Sequence, residues 1–269
     1  MSEKKLREHF WIWGHPTNAM HLHVNKAPLS KGMSFISPVD GLEFIGATNL
    51  FFVDFIRDFD MRLEGERTKH VPQVGWAIKH AATKPENVKK LVTVSKEYKN
   101  ISIGIFDDFF SPANTTNNFT NYTVEQMRQI RKELHQAGLE MWVVFYSENI
   151  EQFGLEKIRP YLKEFDGVTF WFWDEKDLVD YDKYIDIFLE ETVGQKRMIG
   201  CYLFNFATNA EVSGKLVLEQ LEKERDMIKR GEIQGIILHT NTVFGLKEPF
   251  EAVEACKEWM LEHGDELIC

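Results

Sequence analysis

The sequence has few cysteines and no long apolar run, and both shortages narrow the class of protein. Cys201, Cys256 and Cys269 are odd in number and lack metal-ligand spacing, so they predict free thiols in a reducing compartment rather than a disulfide framework. No apolar segment approaches the roughly 20 residues that span a membrane, and the apolar run before His15 is too short for a signal peptide. We therefore expect a cytoplasmic protein without membrane partners.

Basic residues are also scarce relative to acidic ones. The chain carries 32 Lys and Arg against 42 Asp and Glu, a formal net charge of −10. This charge repels phosphates, and no Lys/Arg-rich stretch offsets it locally, so nucleic acid is not an expected partner. The sequence does not specify an oligomeric state.

Aromatic residues, by contrast, are abundant, with 21 Phe, 7 Trp and 7 Tyr. Most are expected in the core, but aromatic side chains that line a cleft also stack on sugar rings and flat ligands. This composition favours a small-molecule or oligosaccharide substrate over a macromolecular charged one.

Eight short apolar runs recur along the chain, each followed by a polar loop and a segment of helical periodicity. Such nearly continuous apolar runs are typical of buried parallel strands. They lie at 10–15, 49–55, 73–80, 101–108, 139–146, 167–173, 198–205 and 235–241.

Helix signals separate these runs. Ser37 followed by Pro38 predicts a helix start, Thr123 and Gln126 form a capping box, and Gly138 predicts a helix end. Further helices are predicted at 57–69, 86–98, 151–163, 176–191, 210–230 and 248–262.

Eight alternating units predict an α/β fold of one (β/α)8 TIM barrel, with residues 1–269 as a single domain. The alternative is an open doubly wound sheet. It is disfavoured because GHPTN, after the first run, is a poor phosphate-binding loop.

The predicted strand ends are polar, and active sites of TIM barrels lie at the C-terminal ends of their strands. We therefore expect substrate contacts from residues at these ends and in the loops after them. They are Trp13, His15, Asp54, Lys79, Tyr146, Glu148, Trp173, Tyr202, Asn205, His239 and Asn241.

The most informative motif is Phe106-Asp107-Asp108-Phe109-Phe110, after the fourth run. Adjacent carboxylates among apolar neighbours repel each other, which raises one pKa and leaves an acid beside a base. Strand alternation predicts that Ser102, Gly104 and Phe106 face the lumen, which would aim Asp108 inward as the proton donor. The alternative is that one Asp caps the loop and the other faces solvent.

A second acidic pair, Asp174 and Glu175, follows Trp173 at the sixth run and is a further catalytic candidate, although Asp174 is equally suited to cap a helix. Glu148 is ambiguous between capping and function in the same way. His15, His21 and His23 lack the carboxylate or Cys partners of a metal motif, so we expect no metal and no cofactor.

The segment Ile103 to Asp108 resembles the strand-four motif of barrel glycosidases that cleave N-acetylhexosamines, the group of O-GlcNAc hydrolases and bacterial hyaluronidase-like enzymes. The resemblance implies that Asp107 orients the substrate acetamido group as nucleophile while Asp108 serves as general acid and base. It also implies sugar contacts from Tyr202 and Asn205.

Other assignments stay open. A pairing similar to that of α-galactosidases would combine Asp107 or Asp108 with Asp174, again for glycoside hydrolysis by two carboxylates. Two further alternatives are a metal-dependent sugar isomerase or epimerase, using Asp108, Glu148, Asp174 and His239, and a sugar-binding barrel without turnover.

Overall fold

The computed structural model describes residues 3–17, 31–32, 34–53, 60–78, 84–113 and 118–268. Eight parallel strands form a closed barrel in chain order, and the last pairs with the first. This confirms the predicted (β/α)8 architecture, and every predicted strand overlaps an observed one. The barrel strands are β2 (Phe10–Gly14), β3 (Asn49–Phe52), β4 (Val74–Ala77), β5 (Ile101–Phe106), β6 (Glu140–Tyr146), β7 (Gly167–Trp171), β8 (Lys196–Tyr202) and β9 (Gly235–His239).

The helices surround the barrel. They are α1 (Pro38–Ile45), α2 (Met61–Thr68), α3 (Glu86–Glu97), α4 (Val124–Gln136), α5 (Ser147–Phe153), α6 (Leu155–Leu162), α7 (Tyr181–Glu191), α8 (Gly214–Lys229) and α9 (Glu251–His263). The predicted caps are confirmed: Ser37 Oγ accepts the amide of Asp40, and Thr123 and Gln126 form the capping box. None of the helices in the described part of the chain is long and apolar enough to cross a membrane.

Two helix predictions need correction. The helix expected at 151–163 begins directly after β6, at Ser147, and is divided into α5 and α6 at Gly154, whose φ of 77° interrupts the helical backbone. The start expected at 176 is a 3-10 helix over Glu175–Asp180 that leads into α7.

A short antiparallel pair lies outside the barrel and was not predicted. β1 (Lys4–Lys5) pairs with β10 (Leu267–Ile268), which joins the two ends of the described chain next to β2 and α9. Two-residue strands carry too little periodicity to be recognised in a sequence.

The barrel interior is packed with large side chains. A buried cluster of inward-facing residues fills the lumen: Trp11, Trp13, Phe51, Val53, Ile103, Ile105, Trp142, Val144, Trp171, Met198 and Ile237. The inward direction predicted for β5 is therefore wrong. Ile103 and Ile105 face the lumen, and Phe106 packs in the layer between the strands and the helices.

Glycines on neighbouring strands make room for three of these rings. Phe51 pairs in register with Gly75, Trp142 with Gly167, and Trp171 with Gly200. A Cβ atom at each glycine would overlap the ring of its own register partner. Each ring thus lies across the bare backbone of the next strand, which allows the lumen to hold four tryptophans and a phenylalanine.

Gly200→Ala should lower the free energy of unfolding by about 1–3 kcal/mol, because the added methyl group overlaps the Trp171 ring. Denaturant titration measures the loss. In a double-mutant cycle, Gly200→Ala should cost less unfolding free energy in the Trp171→Leu background, because the smaller side chain leaves room for the methyl group. Strictly additive losses would contradict a direct ring-on-glycine contact.

A buried carboxyl group lies behind β8. Glu224 of α8 is fully buried, and its Oε1 accepts hydrogen bonds from Gln220 Nε2 (2.7 Å) and the Tyr181 hydroxyl (3.3 Å). Its Oε2 has no partner among the described residues. Burial raises the pKa of Glu224 to about 8, so the group is mostly protonated near neutrality.

In the unfolded chain Glu224 ionises near its ordinary pKa, whereas the folded chain retains the proton until about pH 8. Stability therefore falls as pH rises from about 4.5 to 8. Glu224→Gln should change stability little at pH 5 and raise it by at most about 4 kcal/mol at pH 8.5, measured by denaturant unfolding. Glu219→Gln, exposed on the same helix, is the matched control and should show no such pH dependence. A parallel pH profile for Glu224→Gln and the native chain would contradict the buried neutral acid.

Candidate active site

The two adjacent aspartates lie just beyond β5, at the C-terminal face of the barrel. Asp107 is half-buried, Asp108 is exposed, and the Asp108 amide donates to Asp107 Oδ1 (3.0 Å). Asp108 has a φ of 47°, a conformation that Asp tolerates better than most residues, so the chain turns away from strand geometry there.

The prediction that apolar side chains enclose Asp108 is wrong. Phe106, Phe109 and Phe110 are all buried in the outer core, where Phe109 stacks on Tyr122 and Phe110 stacks on Phe119. Their rings pack beneath the loop and leave Asp108 exposed. These three rings therefore do not bury the Asp108 carboxyl group, so they cannot favour its protonated form by desolvation.

Two tyrosines lie beside the aspartates. The Tyr146 hydroxyl, at the end of β6, lies 3.5 Å from Asp108 Oδ1 and donates toward it. Burial raises the pKa of both Tyr146 and Tyr202 well above 10, and the charges of Asp107 and Asp108 add to the effect. Both tyrosines are therefore neutral hydrogen-bond donors beside the aspartates.

Glu148, by contrast, lies where the protonated form of its carboxyl group is favoured. It lies in the first turn of α5, immediately after β6. Partial burial of its carboxyl group raises its pKa, and the nearby carboxylates of Asp177 and Asp108 raise it further. Asp177 also has a raised pKa, caused first by burial, and accepts a hydrogen bond from Ser147 Oγ (3.3 Å). Glu148, near Asp108, thus holds its proton more strongly than an ordinary Glu.

Asp174 is a helix cap in the structure. Its side chain accepts the amide of Lys176 (3.2 Å) and pairs with the Lys176 ammonium (2.8 Å). Asn205 Nδ2 also donates to it (3.3 Å). The Lys176 contacts lower the pKa of Asp174, so this carboxylate stays ionised and is poorly suited to donate a proton. Glu175, the next residue, is half-buried beside Trp173.

His239 lies at the top of the lumen among aromatic rings. Its ring is 4.7 Å from Tyr202, 4.9 Å from Phe206 and 5.9 Å from both Trp171 and His15, between centroids. Burial, with a contribution from His15, lowers the pKa of His239 well below 6.5. The imidazole is therefore neutral, and its Nδ1 has no hydrogen-bond partner among the described residues.

Three residues assigned to substrate contact have structural contacts instead. The Asn241 amide bonds both the N–H and the carbonyl of His15 (2.8 and 3.0 Å) and the carbonyl of Ile36 (2.8 Å). His15 Nδ1 bonds the carbonyl of Val53 (2.7 Å). Trp13 is only 4% exposed and packs on Trp171 in the lumen. These side chains support the site from below.

Asp54, Lys79, His21 and His23 lie outside the described residues. The expectation that the main cleft is formed by loops after the first, fourth, sixth, seventh and eighth predicted strands also depends on residues 18–30 and 114–117, which lie outside them too, so it stays a prediction. A cavity of about 430 Å³ opens at the opposite, N-terminal face.

Sequence reasoning missed Asn149, which is 1% exposed and ties two loops of the site together. Its Oδ1 accepts the amide of Tyr146 (3.0 Å), and its Nδ2 donates to the carbonyl of Phe110 (3.2 Å). It thereby holds the Asp107–Phe110 loop against the end of β6. Asp177 and Phe206 were missed as well, because Asp177 lies in the 3-10 helix Glu175–Asp180 and Phe206 in the segment after β8, rather than at a strand end.

No group of three or more His, Cys, Asp or Glu side chains in the described ranges is arranged to hold a metal ion. Asp108, Glu148, Asp174 and His239 therefore do not converge on one cation, as the isomerase alternative requires.

The fold is similar to three solved structures of low sequence identity. They are a Bacteroides thetaiotaomicron protein assigned as an α-L-fucosidase (TM-score 0.62, 9% identity, 99% of this chain and 100% of that chain covered), catalytic domain 2 of the group II chitinase of Ostrinia furnacalis (0.56, 8%, 98% and 99%), and the Pyrococcus furiosus tryptophan synthase A-subunit (0.51, 11%, 94% and 96%). No family model and no curated protein matches the sequence.

These likenesses establish the fold alone. Because TIM barrels host many unrelated chemistries, the assignment of a function depends on the side chains of this site.

Proposed function

We propose that the protein, as one domain over residues 1–269, is a glycoside hydrolase that acts on a small glycoside or oligosaccharide at the C-terminal face of the barrel. The observation that supports this most is that two nearby carboxyl groups have different neighbours. Glu148 has a raised pKa, while Asp108 lies beside the neutral donor Tyr146. A protonated and an ionised carboxyl group are the pair that glycoside hydrolysis requires.

In this proposal Glu148 is the general acid, which gives its proton to the glycosidic oxygen as the bond to the sugar breaks. Asp108 is the ionised partner, either as the nucleophile or as the base that activates water. Asp107, which accepts the amide of Asp108, orients it. In this proposal the proton comes from Glu148 rather than from Asp108. Both side chains are exposed, but Glu148 has a raised pKa, whereas Asp108 lacks the apolar shell that its assignment as donor assumed.

The neighbouring side chains suit a sugar ring. Trp173 is half-buried and lies between Tyr146 and Tyr202, with centroids 6.3 and 5.7 Å away. Aromatic faces of this kind stack on the apolar faces of sugars, and Asp174 with Asn205 supplies hydrogen-bonding groups beside them. The fold likeness to a chitinase and to the assigned fucosidase is in keeping with this use of the barrel.

The resemblance to N-acetylhexosamine-cleaving glycosidases gives a narrower form of the proposal. There Asp107 would orient a substrate acetamido group, which would act as the nucleophile, and Asp108 would serve as general acid and base. Comparing aryl N-acetylglucosaminides with the matching aryl glucosides separates the two forms, because only the first carry the acetamido group.

Glu148→Gln should lower kcat/KM about 10²- to 10⁴-fold on a glycoside with a poor leaving group, because that bond needs a proton to break. An activated nitrophenyl glycoside of the same sugar should lose much less. Asp108→Asn should instead slow both substrates to a similar degree, since its charge serves the sugar rather than the leaving group.

Glu156→Gln is the matched control, because Glu156 also lies in the first turn of a helix, α6, but outside the site. Circular dichroism establishes that each variant is folded. A leaving-group dependence confined to Asp108→Asn would return the donor role to Asp108, and equal rates for all variants would exclude this pair from catalysis.

Asp177→Asn should move the alkaline limb of the pH profile of kcat/KM to lower pH. Asp177 raises the pKa of Glu148 by charge repulsion, so its neutralisation makes Glu148 lose the catalytic proton at lower pH. Asp186→Asn, exposed on α7, should leave the limb in place. A limb that stays fixed in Asp177→Asn, or moves to higher pH, would mean that Glu148 does not set it.

A further inference from the structure

A second cavity lies at the N-terminal face of the barrel, at the opposite end from the candidate active site. It has a volume of about 430 Å³, within the range of small-molecule sites. Trp11, Ile103, Trp142 and Met198 line it, and each is at most 4% exposed. These four side chains belong to the cluster that fills the lumen, so packed rings separate the cavity from the acids at the C-terminal face.

One indole in this lining has an unused donor. Trp142 Nε1 donates to Glu140 (2.9 Å), and Trp171 Nε1, deeper in the lumen, donates to Thr169 (2.9 Å). Trp11 is 2% exposed, and its Nε1 donates to no group among the described residues. This nitrogen is not one of the fully buried unpaired atoms, so it can be reached from the cavity. Buried indole N–H groups usually have a partner, so a ligand acceptor would complete this one.

The rim is locally basic in a protein of net charge −10. Lys4, Lys99 and Lys196 line the cavity, against Glu8 and Glu140. Lys196 pairs with Glu140 (2.5 Å), whereas neither Lys4 nor Lys99 has an ion pair within the described ranges. Glu8 already accepts the backbone amide of Lys5 (2.7 Å). With Glu8 counted, these five side chains have a net charge of +1, and two lysines without an ion pair in the described part of the chain and an indole donor face a bound anion.

We propose that this cavity binds a small aromatic or heteroaromatic carboxylate, with its ring against Trp11 and Trp142 and its carboxylate received by the Trp11 N–H and Lys99. Because the cavity has apolar walls and lysines at its rim, it favours a ligand that has both an aromatic ring and a negative charge. A sugar would use the stacking surface but not the cations, and an inorganic anion would use the cations but not the surface.

Two probes of equal size and opposite charge test this: 2-naphthoate and 2-naphthylmethylamine, titrated calorimetrically into the full-length protein. Naphthoate should bind with one site per chain, at least tenfold more tightly than the amine. Lys99→Glu and Trp11→Phe should each weaken naphthoate binding at least fivefold. Lys215→Glu makes the same charge change at the start of α8, at the other end of the barrel, and should not alter it.

Asp108→Asn should also leave naphthoate binding unchanged, which distinguishes this cavity from the candidate active site. The proposal is overturned if the protein binds neither probe at millimolar concentration, or binds both equally. Equal weakening by Lys99→Glu and Lys215→Glu would show only a general charge effect and would overturn it too. If Trp11→Phe unfolds the chain, Lys99→Glu, on an exposed residue, still decides the question.

Discussion

The packing of aromatic rings across glycines of the next strand is the constraint on which the rest of the structure depends. A barrel of eight strands has a lumen just wide enough to be filled by side chains, and four indoles exceed what uniformly sized neighbours would allow. The large rings fit because the register partner of each of Phe51, Trp142 and Trp171 is a glycine, which places no side chain beside the ring. Because each pair is fixed by strand register, the lumen also favours one register over its alternatives.

This dry lumen determines the protonation of the groups above it. Trp171 packs against both Tyr202 and His239, so neither side chain is hydrated from below. The tyrosines keep their protons and the histidine stays neutral. Tyr146, Tyr202 and His239 therefore add no charge beside the carboxylates of Asp108 and Glu148.

The strands, most helices and the polar strand ends could be predicted because they follow from local periodicity and capping chemistry. The direction of β5 could not: Ile-Ser-Ile-Gly-Ile-Phe places apolar groups on both faces, and only the size of the facing side chains decides which enters the lumen. The exposure of Asp108 was likewise beyond sequence, since its positive φ turns it off the strand after Asp107. Glu148 was recognised as a strand-end residue, but its raised pKa comes first from burial and then from the charge of Asp177, some 30 positions away, and neither follows from the local sequence.

The proposed division of roles between Asp108 and Glu148 would require the segments that carry them to be held together. An acid and a base act together only if their separation is maintained, and the two residues come from different strand ends. Asn149, next to Glu148 in sequence, bonds the carbonyl of Phe110, which is two residues beyond Asp108. The same amide accepts the N–H of Tyr146, whose hydroxyl lies beside Asp108. One buried side chain thus links the segment that carries Asp108, the tyrosine beside it and the start of α5, as the proposed two-carboxylate reaction would require.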